Sequence, residues 1–232
     1  MIQTIQKDPF ELKKVSKLHP YRLAWTAYSR ILDSYGEITQ SSIANQTDRF
    51  MPKHLFTERG NSLSDTSVTS KQAELLDIAV AATEHFTESI VEIGSYRGVT
   101  TQRLAIATKR LVYAVDPYIG YGGWDSDLAV FNNRVQSLSN LHLLRSTSGS
   151  AFKQLQNKLL SMVFIDGVHD FSNTWFDFVS WSTLVMPGGL IAMHDVDDFP
   201  GTNLACRKII TQLSDKYLFW GYCPNLAVFL KK

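Results

Sequence analysis

Apolar positions change their spacing along the chain near residue 70. Before that point, residues 21–32 form one amphipathic stretch between polar, irregular segments. The apolar residues that fall roughly on one face of this stretch are Leu23, Ala24, Ala27, Ile31 and Leu32. After residue 70, short β-branched runs alternate with helical patterns. The pattern predicts a helical N-terminal extension over residues 1–70 and a separate domain over residues 71–232.

The second part of the chain predicts alternating helices and strands. The strand candidates are Ser89–Ile93, Leu111–Val115, Leu141–Leu144, Met162–Ile165 and Leu190–Met193. Helices are predicted at Lys71–Phe86, Thr100–Thr108, Asp127–Leu138, Ala151–Leu159 and Asn173–Leu184. Thr69 and Gln72 have the spacing of a capping box at the start of the first helix. Most strand candidates are apolar along their length, which is typical of parallel strands covered on both faces, so we expect a doubly wound α/β sheet.

The C-terminal pattern differs from this alternation. After a predicted helix at Thr202–Ser214, strand candidates Tyr217–Tyr222 and Leu226–Leu230 are separated only by Cys223-Pro224-Asn225. So short a connection joins antiparallel strands. The sequence therefore predicts a mostly parallel sheet, of five or six parallel strands, with one antiparallel strand near the C-terminus.

Composition and charge exclude several classes of protein. Lys and Arg number 23 and Asp and Glu 22, so the formal net charge is +1. This balance argues against a broad nucleic-acid-binding face. We therefore expect no nucleic-acid partner. No segment approaches the ~20 apolar residues that a membrane span needs, so we expect no membrane partner either. Residues 1–8 lack the apolar core of a signal peptide, and Cys206 and Cys223 have no disulfide or metal spacing, which predicts a cytoplasmic protein with reduced thiols.

A glycine-containing turn follows the first strand of the predicted sheet. Gly94 and Gly98 let the chain turn tightly and bring backbone N–H groups close to a ligand, although a purely structural turn would explain them equally well. Tyr96 stands where the dinucleotide pattern G-x-G-x-x-G has its second glycine, and its side chain would crowd a pyrophosphate. The turn therefore argues against a nicotinamide-dependent oxidoreductase, which stays as an alternative.

An acidic residue ends the second strand. Asp116 follows the glycine turn by about 20 residues, where a carboxylate can accept hydrogen bonds from two ribose hydroxyls. A helix cap or a surface acid is the other interpretation. Taken together with the glycine turn, Asp116 favours ribose binding.

The motif Glu92-x-Gly94-x-x-x-Gly98, followed by Asp116, resembles the opening of class I S-adenosylmethionine-dependent methyltransferases. The run from Glu92 to Thr100 is most similar to the catechol and caffeoyl-CoA type of O-methyltransferase, and the overall pattern resembles the small bacterial family with sugar and macrolide O-methyltransferases. The resemblance covers roughly residues 70–232. It implies a seven-stranded Rossmann-like sheet, S-adenosylmethionine as cofactor, and methylation of a hydroxyl on a small sugar, natural product or phenol.

The same resemblance implies cofactor-binding roles for single residues. Gly94 and Gly98 would shape the methionine pocket, and Glu92 would lie near the ammonium group. Asp116 would hold the ribose, and Ser148 would lie beside the adenine; Ser148 could also cap the next helix, alone or in addition to that role. The other residues at matching cofactor positions are Ser95, Tyr96, Thr100, Pro117 and Asp166.

Acidic residues and a histidine follow the fourth and fifth strands. The resemblance implies a divalent cation such as magnesium, held by Asp166, His194 and Asp195. Related enzymes carry two oxygen donors at the place of the His194–Asp195 pair. Because imidazole suits softer metals than magnesium, both the metal's identity and its presence stay open, and His194 could instead lie behind the ligands or act as a base.

His169 stands where the catechol-type enzymes carry a lysine that takes the proton from the acceptor hydroxyl. Histidine titrates near neutral pH and can do the same, although it could also cap the following helix. With Asp166 it forms the candidate catalytic pair. Such groups favour O-methylation over transfer to a thiol, since a hydroxyl needs deprotonation. A non-catalytic cofactor-binding subunit is the second alternative, and the N-terminal extension would suit a homodimer.

Overall fold

The computed structural model describes residues 20–120 and 123–232. Residues 1–19, which include the segment behind the signal-peptide prediction, lie outside the described residues. Among the described helices, none combines the length and the apolar character that crossing a membrane requires. Cys206 and Cys223 are both free and buried.

Helices and strands alternate through the described part of the chain. The helices are α1 Pro20–Thr39, α2 Ala44–Phe50, α3 Ser70–Ala82, α4 Val99–Ala107, α5 Asp125–Val135, α6 Ser148–Leu155, α7 Phe171–Trp181 and α8 Pro200–Gln212. The strands are β1 His54–Leu55, β2 Ser89–Ile93, β3 Val112–Val115, β4 Leu141–Leu144, β5 Leu160–Ile165, β6 Val185–His194, β7 Tyr217–Cys223 and β8 Leu226–Lys231. The capping box predicted for α3 is present.

These strands form one sheet in the order β1-β7-β8-β6-β5-β2-β3-β4. Strand β8 runs antiparallel to β6 and β7, and the other neighbouring pairs are parallel. The predicted doubly wound sheet with its antiparallel C-terminal strand is therefore confirmed. The sheet has eight strands rather than seven, because the short β1 from the N-terminal region pairs with Gly221 and Tyr222 on the edge strand β7.

Several element boundaries differ from the predicted ones. Strand β6 begins at Val185 rather than Leu190, because it continues through Pro187 beside a register shift in its pairing with β5, and proline is tolerated at such irregularities. Helices α6 and α7 begin at Ser148 and Phe171, before the predicted starts. The first turn of a helix carries cap residues that apolar periodicity does not mark.

Helix α1 packs against α7 and α8 through its small, polar side. Gly36 lies so close to α8 that a Cβ there would be 2.8 Å from the Pro200 carbonyl oxygen. Most of the predicted apolar face is turned the other way, with Leu23 52% and Ile31 66% exposed, and of its residues only Leu32 packs against the core. Close packing of two helices selects small side chains at the contact, so the apolar pattern did not identify the packed face.

Two large apolar clusters contain residues from alternate positions of the sheet strands. They hold the parallel strands β2, β3, β5 and β6 in register. The carboxyl ends of these strands consequently meet at one edge of the sheet, which is where open α/β sheets bind ligands.

Candidate functional site

A pocket at this edge contains all the residues that the sequence analysis assigned to the cofactor. Its lining includes Glu92, Gly94, Ser95, Tyr96, Gly98, Thr100, Asp116, Pro117, Ser148 and Asp166, together with His169. The residues come from loops after four strands, and only the fold brings them together. Their individual roles toward a ligand stay predictions.

Gly94 allows the ends of β2 and β5 to approach each other. Its φ is +91°, and a Cβ at this position would lie 1.9 Å from the carbonyl oxygen of Asp166. The two chains are joined there by the Asp166 N–H, which donates to the Ile93 carbonyl at 2.8 Å. Only glycine fits a left-handed backbone with so close a neighbour.

Asp116 holds the glycine turn with its carboxylate. Its Oδ2 accepts from the Tyr96 N–H at 3.0 Å, and its Oδ1 accepts from the Tyr118 N–H at 2.9 Å. Burial raises the pKa of Asp116, against the effect of these two hydrogen bonds. Each carboxylate oxygen has a second lone pair, so Asp116 can accept from ribose hydroxyls while it still holds the turn.

Glu92 lies at the floor of the pocket, where it is 1% exposed. Thr101 Oγ1 donates a hydrogen bond to its Oε2. Burial raises the pKa of Glu92 to about 8, and the nearby carboxylates of Asp166 and Asp116 act in the same direction. The side chain is therefore mostly uncharged near neutral pH, and a cationic ligand group beside it would favour its ionised form.

Ser148 lies in the first turn of α6, but it is not the helix cap. That position belongs to Thr147, whose side chain accepts from the Ser150 N–H. Ser148 Oγ instead accepts from Trp181 Nε1 at 2.8 Å and donates to Asp177. The capping alternative for Ser148 is wrong, and its hydroxyl forms part of the pocket wall with Asp177.

Asp166, His169, His194 and Asp195 form one cluster at the ends of β5 and β6. His169 Nε2 lies 2.7 Å from Asp195 Oδ2 and 3.7 Å from Asp166 Oδ1. His194 Nδ1 lies 3.2 Å from Asp166 Oδ1 and 3.4 Å from Asp195 Oδ1. Both ring nitrogens are buried and neither makes a well-aligned hydrogen bond. Separate roles were predicted for the two histidines, whereas the structure places both against the same carboxylates.

Gln72 sets the orientation of the His194 ring. Its Oε1 accepts from the Thr69 N–H at 2.7 Å and its Nε2 donates to the Pro224 carbonyl at 2.8 Å, which defines the direction of the amide. The same Oε1 lies 3.1 Å from His194 Nε2, so that ring nitrogen is the donor. In a neutral ring, Nδ1 would then direct a bare lone pair at two carboxylates. A proton or a metal cation is needed at that nitrogen.

The cluster balances its charges with protons. Burial lowers the histidine pKa values, but Asp166 and Asp195 outweigh it and raise the pKa of His169 to about 9 and that of His194 to about 10. Burial raises the pKa of Asp195, yet the two rings hold it well below its usual range. Two imidazolium rings thus face two carboxylates at neutral pH. In this state His169 already holds a proton, so the predicted general base requires the ring to lose it first.

The donor chemistry of the cluster fits a divalent cation. Asp166, His169 and Asp195 each offer a ligand atom within 4.8 Å of the others, and His194 Nδ1 faces the same carboxylates. By its position, His169 is a further candidate beside the three ligands that the resemblance implied. Mixed carboxylate and imidazole donors suit manganese, iron or zinc better than magnesium, which prefers oxygen ligands and water.

Part of the pocket wall carried no signal that the sequence analysis recognised as functional. The additional lining residues are Asp65, Thr66 and Ser67 before α3, and Asn173, Phe176 and Asp177 in α7. The first three lie outside any strand–turn–helix motif. Phe176 follows an apolar helical spacing that by itself indicates only a core face.

Comparisons with known proteins agree with this arrangement. Residues 91–196, which contain both the glycine turn and the acid–histidine cluster, match the family described as "Methyltransferase domain". The structure of the O-methyltransferase NovP is 16% identical, covers 73% of this chain and 83% of its own, and superposes with a TM-score of 0.56. An O-methyltransferase from Bacillus cereus in complex with SAH is 16% identical over 73% of this chain and 84% of its own, with a TM-score of 0.54.

A third structure extends over nearly the whole chain. CalS11, a TDP-rhamnose 3'-O-methyltransferase of calicheamicin biosynthesis, is 15% identical, covers 95% of this chain and 98% of its own, and has a TM-score of 0.55. A search of curated proteins gives no match. The sheet order and the domain matched over residues 91–196 agree with the methyltransferase fold that the resemblance implied. The resemblance implies S-adenosylmethionine as cofactor, and the Bacillus cereus structure was determined in complex with SAH.

Asp116→Asn is expected to weaken binding of S-adenosylhomocysteine about 10- to 100-fold, because one charged acceptor for the ribose and for the Tyr96 N–H is lost. Titration calorimetry measures the change. Asp125→Asn is the control, since Asp125 is 82% exposed at its side chain and does not line the pocket. Equal affinity in both variants would contradict ribose binding by Asp116.

Glu92 is expected to make the cofactor-free protein less stable as pH rises. Between the unfolded value near 4.5 and the folded pKa of about 8, the folded protein holds a proton that the unfolded chain releases. The free energy of unfolding should therefore fall from about pH 5 to pH 8, by on the order of 3 kcal/mol, and level off above. The free energy of unfolding of Glu92→Gln, measured with urea over this pH range, should not show this decrease. Parallel curves for wild type and variant would contradict it.

Proposed function

We propose that the protein transfers the methyl group of S-adenosylmethionine to a hydroxyl group of a small molecule. The observation that carries the proposal is the position of the acid–histidine cluster. Asp166 and His169 belong both to this cluster and to the lining of the cofactor pocket. An acceptor bound at the cluster would thus lie next to the cofactor's methyl group.

The chemistry explains why such a cluster is useful. The sulfonium already activates the methyl group, so the enzyme's main task is to align donor and acceptor in line. A hydroxyl is a poor nucleophile until it loses its proton, and a positioned acid–base group can remove it. A thiol or amine acceptor would have less need of a buried carboxylate–imidazole site. The cluster therefore supports a hydroxyl acceptor.

Asp166, Asp195 and His194 are the side chains that would hold a divalent cation while His169 acts as a base, and the cation when bound would lower the pKa of a coordinated hydroxyl. Gln72 keeps the His194 ring in place, and Asn225 Nδ2 donates to Asp195 Oδ1 at 2.8 Å. With a cation against the carboxylates and His194, His169 would no longer need its proton for charge balance. It could then accept the proton of the acceptor.

The acceptor class is proposed from the relatives and the charge. NovP is an O-methyltransferase, and CalS11 is named as a TDP-rhamnose 3'-O-methyltransferase, so its acceptor is a sugar nucleotide. An rRNA methylase from Streptococcus thermophilus shares the fold at 14% identity, with 73% of this chain and 99% of its own covered and a TM-score of 0.54. The net charge of +1 argues against an RNA substrate here. A glycosyl or phenolic hydroxyl is the acceptor that we propose.

A methyl-transfer assay with radiolabelled cofactor tests this function. The acceptors tested are deoxysugars, nucleotide sugars, glycosides and phenols. Matched thiols and ribosomal RNA are tested separately as alternative acceptors. We expect label only in hydroxyl compounds, with activity lost in chelator and restored better by manganese, iron or zinc than by magnesium. Label in thiols or RNA, with none in hydroxyl compounds, would refute O-methylation. Full activity in chelator would refute the role of the cation.

A further inference from the structure

A strap of the N-terminal region, residues 62–69, extends to the cofactor pocket. Its two ends pair in an antiparallel bridge between Ser62 and Thr69. Just outside the strap, the Ser70 N–H donates to the Asn61 carbonyl at 2.8 Å. The strap is thus a loop with a pinned base, and its tip, Asp65 to Ser67, lines the pocket together with the glycine turn.

Two arginines hold the tip of the strap. Arg97 Nη1 lies 2.8 Å from Asp65 Oδ1, and Arg134 Nη2 lies 2.9 Å from Asp65 Oδ2. Arg97 is itself fixed by Asp127, since Arg97 Nε lies 2.8 Å from Asp127 Oδ1. Arg97 belongs to the glycine turn after β2, and Arg134 belongs to α5. Asp65 therefore ties the strap to the glycine turn, which lines the pocket, and to α5.

The backbone of the tip depends on these ion pairs. Asp65 has φ +61°, in the left-handed region that non-glycine residues adopt only where their surroundings stabilise it. The carboxylate uses each oxygen for one guanidinium, and both arginines lower the pKa of Asp65. Val68 anchors the next part of the strap, being 2% exposed in the core. The ion pairs of Asp65 therefore position the tip of the strap, and the packing of Val68 positions the part of the strap that follows.

We infer that Asp65 is a positioning residue for the cofactor, which holds the strap against the glycine turn and thereby slows the departure of bound S-adenosylmethionine. The strap closes one side of a pocket whose other sides are the sheet edge and α7. Loss of the ion pairs frees the tip while the base stays pinned. The inference rests on the cofactor pocket and is independent of the acceptor.

The test compares binding of S-adenosylhomocysteine by three variants. Asp65→Asn removes the charge at nearly constant size, and asparagine tolerates the left-handed backbone. We expect its dissociation constant to rise about tenfold, with a matching rise in the dissociation rate. Asp65→Glu keeps the charge but fits the left-handed backbone less well, so it should recover part of the affinity. The control is Asp77→Asn, which breaks a similar pair with Arg103 between α3 and α4, outside this pocket.

Salt separates this role from a purely structural one. Wild-type affinity should fall between about 0.05 M and 0.5 M NaCl, because screening weakens the ion pairs, while Asp65→Asn should be nearly insensitive. The cofactor-free forms of Asp65→Asn and Asp77→Asn should unfold at similar urea concentrations. Equal cofactor affinity in these two variants would overturn the inference, as would Asp65→Glu binding as weakly as Asp65→Asn, or a stability loss confined to Asp65→Asn.

Discussion

Gly94→Ala is expected to abolish binding of S-adenosylhomocysteine and to lower the free energy of unfolding by about 3–5 kcal/mol. The added Cβ would lie 1.9 Å from the Asp166 carbonyl oxygen, and neither neighbour is a flexible side chain that could move away. This steric clash can be removed only if the ends of β2 and β5 separate. That separation displaces both Glu92 and Asp166 from the pocket floor. Calorimetry and urea unfolding measure the two effects.

Gly167→Ala is the matched control for this prediction. Gly167 follows Asp166 directly, but its φ lies outside the left-handed region, and a Cβ there would meet only Ile93 Cγ2 at 3.5 Å and Asp177 Oδ2 at 3.6 Å. Those distances are ordinary contacts, so we expect a stability change below about 1 kcal/mol. Because Gly167 also lines the pocket, we expect binding to weaken, but far less than in Gly94→Ala. If Gly94→Ala folded and bound like Gly167→Ala, the close approach of the two strands would not be essential to the pocket.

Asp195→Asn is expected to reduce the methyl-transfer rate at least about 100-fold while affinity for S-adenosylhomocysteine stays within about twofold. Asp195 does not line the cofactor pocket, but its carboxylate faces both His169 and His194. Asparagine suits the backbone of Asp195, whose φ is +59°, and retains an oxygen for the Asn225 side chain. The change therefore removes one negative charge with little disturbance of shape.

The control for this variant is Asp215→Asn, at an exposed position before β7. It should leave both rate and affinity unchanged. Steady-state rates with the best acceptor of the panel, together with calorimetry, distinguish the outcomes. A normal rate in Asp195→Asn would exclude the cluster from catalysis. A parallel loss of cofactor affinity would instead place Asp195 in the cofactor site.

The cofactor side of the pocket was largely predictable because its signals are local. A glycine turn directly after a buried strand and an acid at the end of the next strand both lie within single strand–turn segments. The parallel sheet then brings Gly94 and Asp116 together by its register, with Ile93 paired to Val115. No long-range contact had to be guessed for this part of the site.

The acceptor side was less predictable because it depends on contacts between distant segments. His169 and His194 come from different strand ends, and each resembled a residue with its own role. Their joint contact with Asp166 and Asp195 follows from the pairing of β5 with β6 and from Gln72 in α3. Likewise, the ion pairs that place Asp65 join residues more than thirty positions apart, of which the sequence carries no sign.

By itself, the sequence determined the alternation of strands and helices, the reversed last strand and the glycine–acid pattern of the cofactor pocket. These follow from hydrophobic spacing, turn length and backbone freedom, which act over a few neighbouring residues. Only the tertiary structure decided which face of α1 packs, that β1 joins the sheet, that Asp65 reaches the pocket, and that two histidines share two carboxylates. Those features depend on close packing and on charge pairing between segments that are distant in the sequence. Local sequence patterns do not show which of these segments lie close together in space.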